Sequence, residues 1–161
     1  MSDTQVTTDV TAQTPPGAAV PLRFEAAVLP VADVDRAKAF YVGLGWRLDA
    51  DITVDENYRV VQVTPPGSPA SIQFGHGLTS RQPGTADGLY LIVEDIEAAR
   101  AELSSRGAKV SEAWHGKGLG TEGHVPGPDP QHASYRTFAS FSDPDGNAFL
   151  LQEITERLPG R

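Results

Sequence analysis

Three of the four histidines in this 161-residue chain, His115, His124 and His132, fall in one Gly/Pro-rich segment, residues 115–133. An imidazole changes charge near neutral pH, so histidines gathered in a loop are the first candidates for proton transfer or metal ligation. His115 is the strongest of them. It follows Trp114 at the end of an expected strand, where it would reach a pocket rim as a general base. Arg136, just beyond the segment, could hold developing negative charge. His124 and His132 read more simply as solvated loop residues, and His76, after Phe74-Gly75, as a turn residue.

Two formal motifs fail on their surroundings. Gly118-x-Gly120-x-x-Gly123 matches a dinucleotide fingerprint, but His124-Val125-Pro126-Gly127 follows, so no helix N-terminus would meet a phosphate. Asp143-x-Asp145-x-Asn147 begins like a calcium loop, yet the required glycine falls at Ala148 and the closing glutamate at Ile154. That stretch is better read as a hairpin: Asp-Pro opens a turn, Gly-Asn closes it, and apolar strands flank it.

The elements around these residues come in two similar runs. In the first, Leu22–Val31 reads as a strand, Asp33 as an N-cap and Val34–Gly43 as a helix with one apolar face. Gly45 stops it, and strands follow at Trp46–Asp51, Tyr58–Thr64 and Ala70–Gly75. In the second, Leu89–Val93 is a strand, Asp95 a cap, Ile96–Arg106 a helix and Gly107 its stop. Strands at Lys109–Ala113, Tyr135–Phe141 and Ala148–Ile154 complete it. Laying Val31–Leu48 over Val93–Val110 matches Val31/Val93, Asp33/Asp95, Ala37/Ala99, Ala39/Ala101 and Gly45/Gly107. Each match has a structural role, which makes an internal duplication the better reading.

Composition narrows the partners. A net charge of −8 gives no basic face for nucleic acid or an anionic membrane. The chain has no cysteine, which excludes disulfides and thiolate metal sites and suits a cytoplasmic location. No apolar run approaches the roughly 18 residues of a membrane span, and the N-terminus lacks the layout of a signal peptide. Residues 1–20 are polar and small, and read as a flexible tail. Residues 21–80 and 81–161 then form two modules of one compact domain.

Two βαβββ runs ending in a DPDGN hairpin resemble the vicinal oxygen chelate superfamily of glyoxalases, extradiol dioxygenases and bleomycin resistance proteins. The stretches that carry the resemblance are VADVDRAKAFYVGLGW, VEDIEAARAELSSRGAKV and FSDPDGNAFLLQE. The resemblance implies an α+β fold in which two βαβββ repeats form a partly closed barrel of curved mixed sheets around a pocket. It also implies a likeness in assembly, a homodimer.

Metal-dependent members of that family carry ligands at four strand positions, which here hold Ala26, Gln73, Gly88 and Leu150. Three offer no donor, and one amide oxygen is a poor site for a divalent ion. A rearranged site would need Glu25, Glu153 or the loop histidines, and a one-residue slip sends a strand side chain to the other face. No cofactor is therefore expected. Strand parity from those positions gives the lining: Phe24, Val61, Gln73, Tyr90, Trp114, Phe138, Leu150 and Gln152, with His115 and Arg136 as catalytic candidates. Apolar walls with sparse polar groups suit an apolar or aromatic small molecule, either sequestered or turned over without a metal. The alternatives are a metal-dependent lyase or dioxygenase, and a subunit whose aromatics merely fill the barrel.

Overall fold

The computed structural model describes residues 12–13, 15–17, 20–117 and 122–159. Most of the expected tail over 1–20, and Gly118 and Gly120 of the glycine motif, lie outside them. The chain runs β1 (Ala26–Val28), α1 (Val34–Gly43), β2 (Arg47–Asp55), β3 (Tyr58–Thr64) and β4 (Ser71–His76). It continues β5 (Leu89–Val93), α2 (Ile96–Ser105), β6 (Trp114–His115), β7 (Val125–Pro126), β8 (Thr137–Ser142) and β9 (Ala148–Glu153). The fold is α+β with two mixed sheets, ordered β1-β4-β3-β2 and β5-β9-β8-β6-β7. In each, one parallel pair, β1 with β4 or β5 with β9, joins antiparallel neighbours. The two sheets do not close into a barrel within the chain.

Both helices start as their caps dictate. The Asp33 carboxylate accepts from the Arg36 N–H at 2.9 Å, and Asp95 accepts from Glu97 and Ala98 at 3.1 and 3.0 Å. These bonds satisfy N–H groups that a first helical turn leaves without partners. Val34, Ala37 and Tyr41 of α1 and Ile96 of α2 are buried, which ties each cap to the core.

That core lies on the helix side of both sheets. Val61, Val63, Ile72 and Phe74 from the first meet Ala139, Phe141, Phe149 and Leu151 from the second. Trp46 packs edge-on against Phe149, and Tyr41 packs on both Trp46 and Phe74. The β8–β9 turn locks this junction. One Asp143 oxygen accepts from the Asp145, Gly146 and Asn147 N–H groups, and the other accepts from the Tyr41 hydroxyl at 2.8 Å. Burial and that carboxylate push the Tyr41 phenol far above its ordinary range. Asn147 donates to the Pro30 carbonyl and accepts from the Ala86 N–H, so the turn is bonded on both sides.

Three strand expectations change, the first being Leu22–Val31, of which only Ala26–Val28 forms a ladder. Lys109–Ala113 is not a strand, and the ladder forms one step later, at Trp114–His115. Ser111 explains the difference. Its N–H donates to the Ser140 carbonyl at 2.8 Å, but its hydroxyl, not a backbone carbonyl, accepts from the Ser140 N–H at 2.9 Å. A side chain has taken a ladder position. The insert also supplies an unexpected strand, β7, paired antiparallel with β6.

Candidate binding faces and a covering loop

Alternation along β9 separates two surfaces. Phe149, Leu151 and Glu153 are buried toward the helices, while Leu150 and Gln152 are half-buried on the open face. On β5, Leu89, Leu91 and Val93 pack on the core, and Tyr90 and Ile92 stand out on the open face, Tyr90 beside Leu150 and Ile92 beside Gln152. Across β8, Phe138 pairs with Gln152 and Trp114 pairs with Phe138. Trp114 therefore shares the open face and lies over Phe138, with ring centroids 4.8 Å apart. Phe138 is wholly buried there, under Trp114, outside the main core.

His124 stacks on the other side of Trp114, at 4.1 Å with 14° between the rings. The result is a three-ring pile, His124–Trp114–Phe138, that joins the insert to the sheet. His124 was not among the residues expected here. Its signal was local: Val125-Pro126 directly after it is an apolar pair able to extend the sheet beside Trp114.

The open face of the first sheet carries a chain of polar bonds. Gln73 donates to the Gln62 amide oxygen at 2.8 Å, and Gln62 donates to the Ser71 hydroxyl at 3.3 Å. Ser71 and Thr64 share a hydroxyl bond of 2.7 Å, and Thr64 reaches Asp49. Bonds from Arg47 and Thr64 hold the Asp49 carboxyl below its usual range. Phe24, ahead of β1, is 73% exposed, and Gly88, ahead of β5, is exposed as well.

Val61 has to be removed from the lining. It is fully buried, paired with Phe74 on the core face, and its neighbour Gln62 takes the open-face place opposite Gln73. The cause is turn length. Between β3 and β4 lie residues 65–70, one more than the 143–147 that join β8 and β9. Aligning the two hairpins without that extra residue slips β3 by one and inverts its faces.

His115 is also displaced from its expected place. It pairs with Thr137, on the face opposite Trp114, and its Nδ1 lies 2.7 Å from the Gly127 carbonyl oxygen. Arg136 is close to neither Gln73 nor His115 by any bond among the described residues; its Nε lies 3.8 Å from buried Asp129. Glu153 is no rearranged ligand. It is 2% exposed, accepts from the Ile96 N–H at 2.8 Å and lies 2.9 Å from His132 Nδ1. Glu25 is exposed at the start of the first sheet.

A metal does not fit the four ligand positions that the family resemblance implies. Ala26, Gly88 and Leu150 present no donor atom, and Gln73, whose amide nitrogen donates to Gln62, would offer a single neutral oxygen, a poor site for a divalent ion. Among the described residues no group of three or more His, Asp or Glu side chains is placed to share an ion.

Comparison with known proteins agrees with this architecture. The sequence profile of the Glyoxalase/Bleomycin resistance protein/Dioxygenase superfamily matches residues 23–151. An antibiotic binding protein from Streptomyces sp. CB03234, TnmS3, superposes with a TM-score of 0.64 at 30% identity, over 85% of this chain and 99% of that one. A glyoxalase/bleomycin resistance protein from the same organism gives 0.60 at 31% identity, over 81% and 100%. A superfamily member from Sphaerobacter thermophilus DSM 20745 gives 0.62 at 31%, over 83% and 98%. No curated protein matches the sequence.

Proposed function

This chain belongs to the Glyoxalase/Bleomycin resistance protein/Dioxygenase superfamily, and from that premise we propose that it binds an apolar, aromatic-bearing small molecule without a metal. The observation that carries the reading is the three-ring pile on the second sheet, beside exposed Tyr90 and Ile92. A flat ligand gains burial and ring stacking against such a surface. The polar floor of Gln62, Gln73 and Ser71 supplies the few hydrogen bonds that orient it. The family's metal chemistry lacks donors here, so binding rests on shape and burial. Likeness to an antibiotic binding protein supports an antibiotic-like compound as the ligand, held and not transformed.

Sequestration fits the side chains better than cofactor-free catalysis, because His115 points away from the open face while Arg136 is turned toward Asp129. Ile52 and Val54 on β2, and Phe24 ahead of β1, are exposed as well. Patches of this kind mark interfaces. A second copy laid over them would complete the barrel and enclose the pocket, giving a cytoplasmic homodimer of two-module chains spanning 21–80 and 81–161.

A thermal-shift screen against hydrophobic aromatic antibiotics tests the reading, since a ligand that prefers the native state raises Tm. The expected hit weakens about tenfold in Trp114→Ala, the scale of one lost aromatic pair and its burial. A hit that Trp114→Ala leaves unchanged would move the site elsewhere.

A further inference from the structure

We propose a second small-molecule site, on the helix side of the sheets, in the cleft between the β3–β4 turn and the β5–α2 edge. Its ligand is an apolar ring-sized molecule carrying one cationic nitrogen. The cleft exists because the internal symmetry is broken there. On one side of the molecule the β8–β9 turn docks against β1 and α1: Asp145 accepts from the Ala32 N–H and from Arg36, and Asp143 accepts from Tyr41. The symmetry-related contact would bring the turn Pro65–Pro69 against β5 and α2. That turn, Pro-Pro-Gly-Ser-Pro, has no carboxylate or amide side chain to bond with. Its one hydroxyl, Ser68, is spent within the turn, on the Ala70 carbonyl at 2.7 Å. On the facing surface the counterpart of Tyr41 is Leu103, which has no hydroxyl, and the counterparts of Ala32 and Phe40 are Glu94 and Glu102.

The two surfaces therefore meet without a lock, and a cavity of about 600 Å³ remains between them. That volume lies in the ordinary range for ligand pockets. Leu44, Trp46, Leu91, Leu103, Leu151 and Ile154 line its body, and at the β5 edge it reaches Tyr90 and Ile92, which also border the open face. Glu94, Glu102 and Arg157 border it; Glu102 is paired with Arg106 at 3.3 Å, which leaves Glu94, with no ion pair among the described residues, as the main carboxylate for a ligand in a chain of net charge −8. The carboxylates favour a cation over an anion, and the apolar walls demand that the charge sit at one end of the molecule.

The chain has two tryptophans, one on each proposed site, which makes the test direct. In ¹⁵N-labelled Trp114→Phe the only indole N–H signal is that of Trp46. Titration with 1-naphthylmethylammonium is expected to shift that signal saturably, and 1-naphthylacetate to bind about threefold more weakly, the scale of an exposed ion pair. Glu94→Gln with Glu102→Gln is expected to erase the preference for the cation. Ala99→Leu, which fills the cleft from α2, is expected to abolish the shift, and the double glutamine variant keeps the test valid should Ala99→Leu fold poorly. Equal affinity for both probes, or an unmoved Trp46 signal, overturns the proposal. So does a tenfold gain in affinity on removal of residues 1–20, which would make the chain's own N-terminal segment the occupant. A Trp46 signal that moves with protein concentration alone would assign the cleft to a second copy and overturn it equally.

Discussion

Glu153 is a buried carboxylate whose two oxygens have different tasks. One completes the N-terminus of α2 through Ile96, and the other meets His132 near the end of the 115–133 segment. The bond to Glu153, and then its charge, raise the His132 pKa above the ordinary histidine value. For a group with a raised folded pKa, the stabilisation is fully present below the unfolded value of about 6.5 and is lost as pH rises through the folded midpoint. The loop should thus be held more firmly in mild acid than above neutrality. NMR titration of His132 is expected to give a midpoint above about 6.5 that falls in Glu153→Gln, and the urea midpoint should decline from pH 6 to pH 8 less steeply in His132→Gln. Little of this was legible in the sequence. His132 reads as a solvated loop residue, and its partner is 21 positions away on a different element.

At the scale of elements, caps, helices and most strands could be read directly, because each rests on local chemistry: Asp33 and Asp95 bond their own first turns. The faces of β5 and β9 followed from parity counted from the positions that the family resemblance implies. What failed was transfer between hairpins, where one extra turn residue put Val61 in the core, and where Ser111 replaced a backbone partner. The junction between the halves was equally hidden, since Tyr41 and Asp143 are 102 residues apart. A close approach in it is at Gly84, φ +78°, where an added Cβ would lie 1.9 Å from the Asp145 carbonyl oxygen. Gly84→Ala is expected to cost about 2 kcal/mol or more, through the left-handed backbone and the forced retreat of the turn, and chemical denaturation would measure it. A cost within 0.5 kcal/mol, about that of an ordinary surface substitution, would show that the turn is not tightly seated.

At the scale of the whole molecule, a sheet face carrying a chain of polar bonds and an aromatic one are each left open by a core that lies entirely on the helix side. The dimer proposed to cover them predicts a particle of twice 17.1 kDa in sedimentation. Ile52, 54% exposed on β2, is the place to interrupt it. Ile52→Lys is expected to shift the sedimenting species to the monomer without lowering the monomer's own helix content.

The central claim is binding without metal, and calorimetric titration of one screened antibiotic ligand tests it most directly. The protein would be titrated once after exhaustive chelation and again after reconstitution with Ni, Zn, Fe or Mn. The same Kd in every state, with one ligand per pocket, is the expected result, because Ala26, Gly88 and Leu150 give an ion nothing to hold. Binding that disappears on chelation and returns with one equivalent of metal would contradict it.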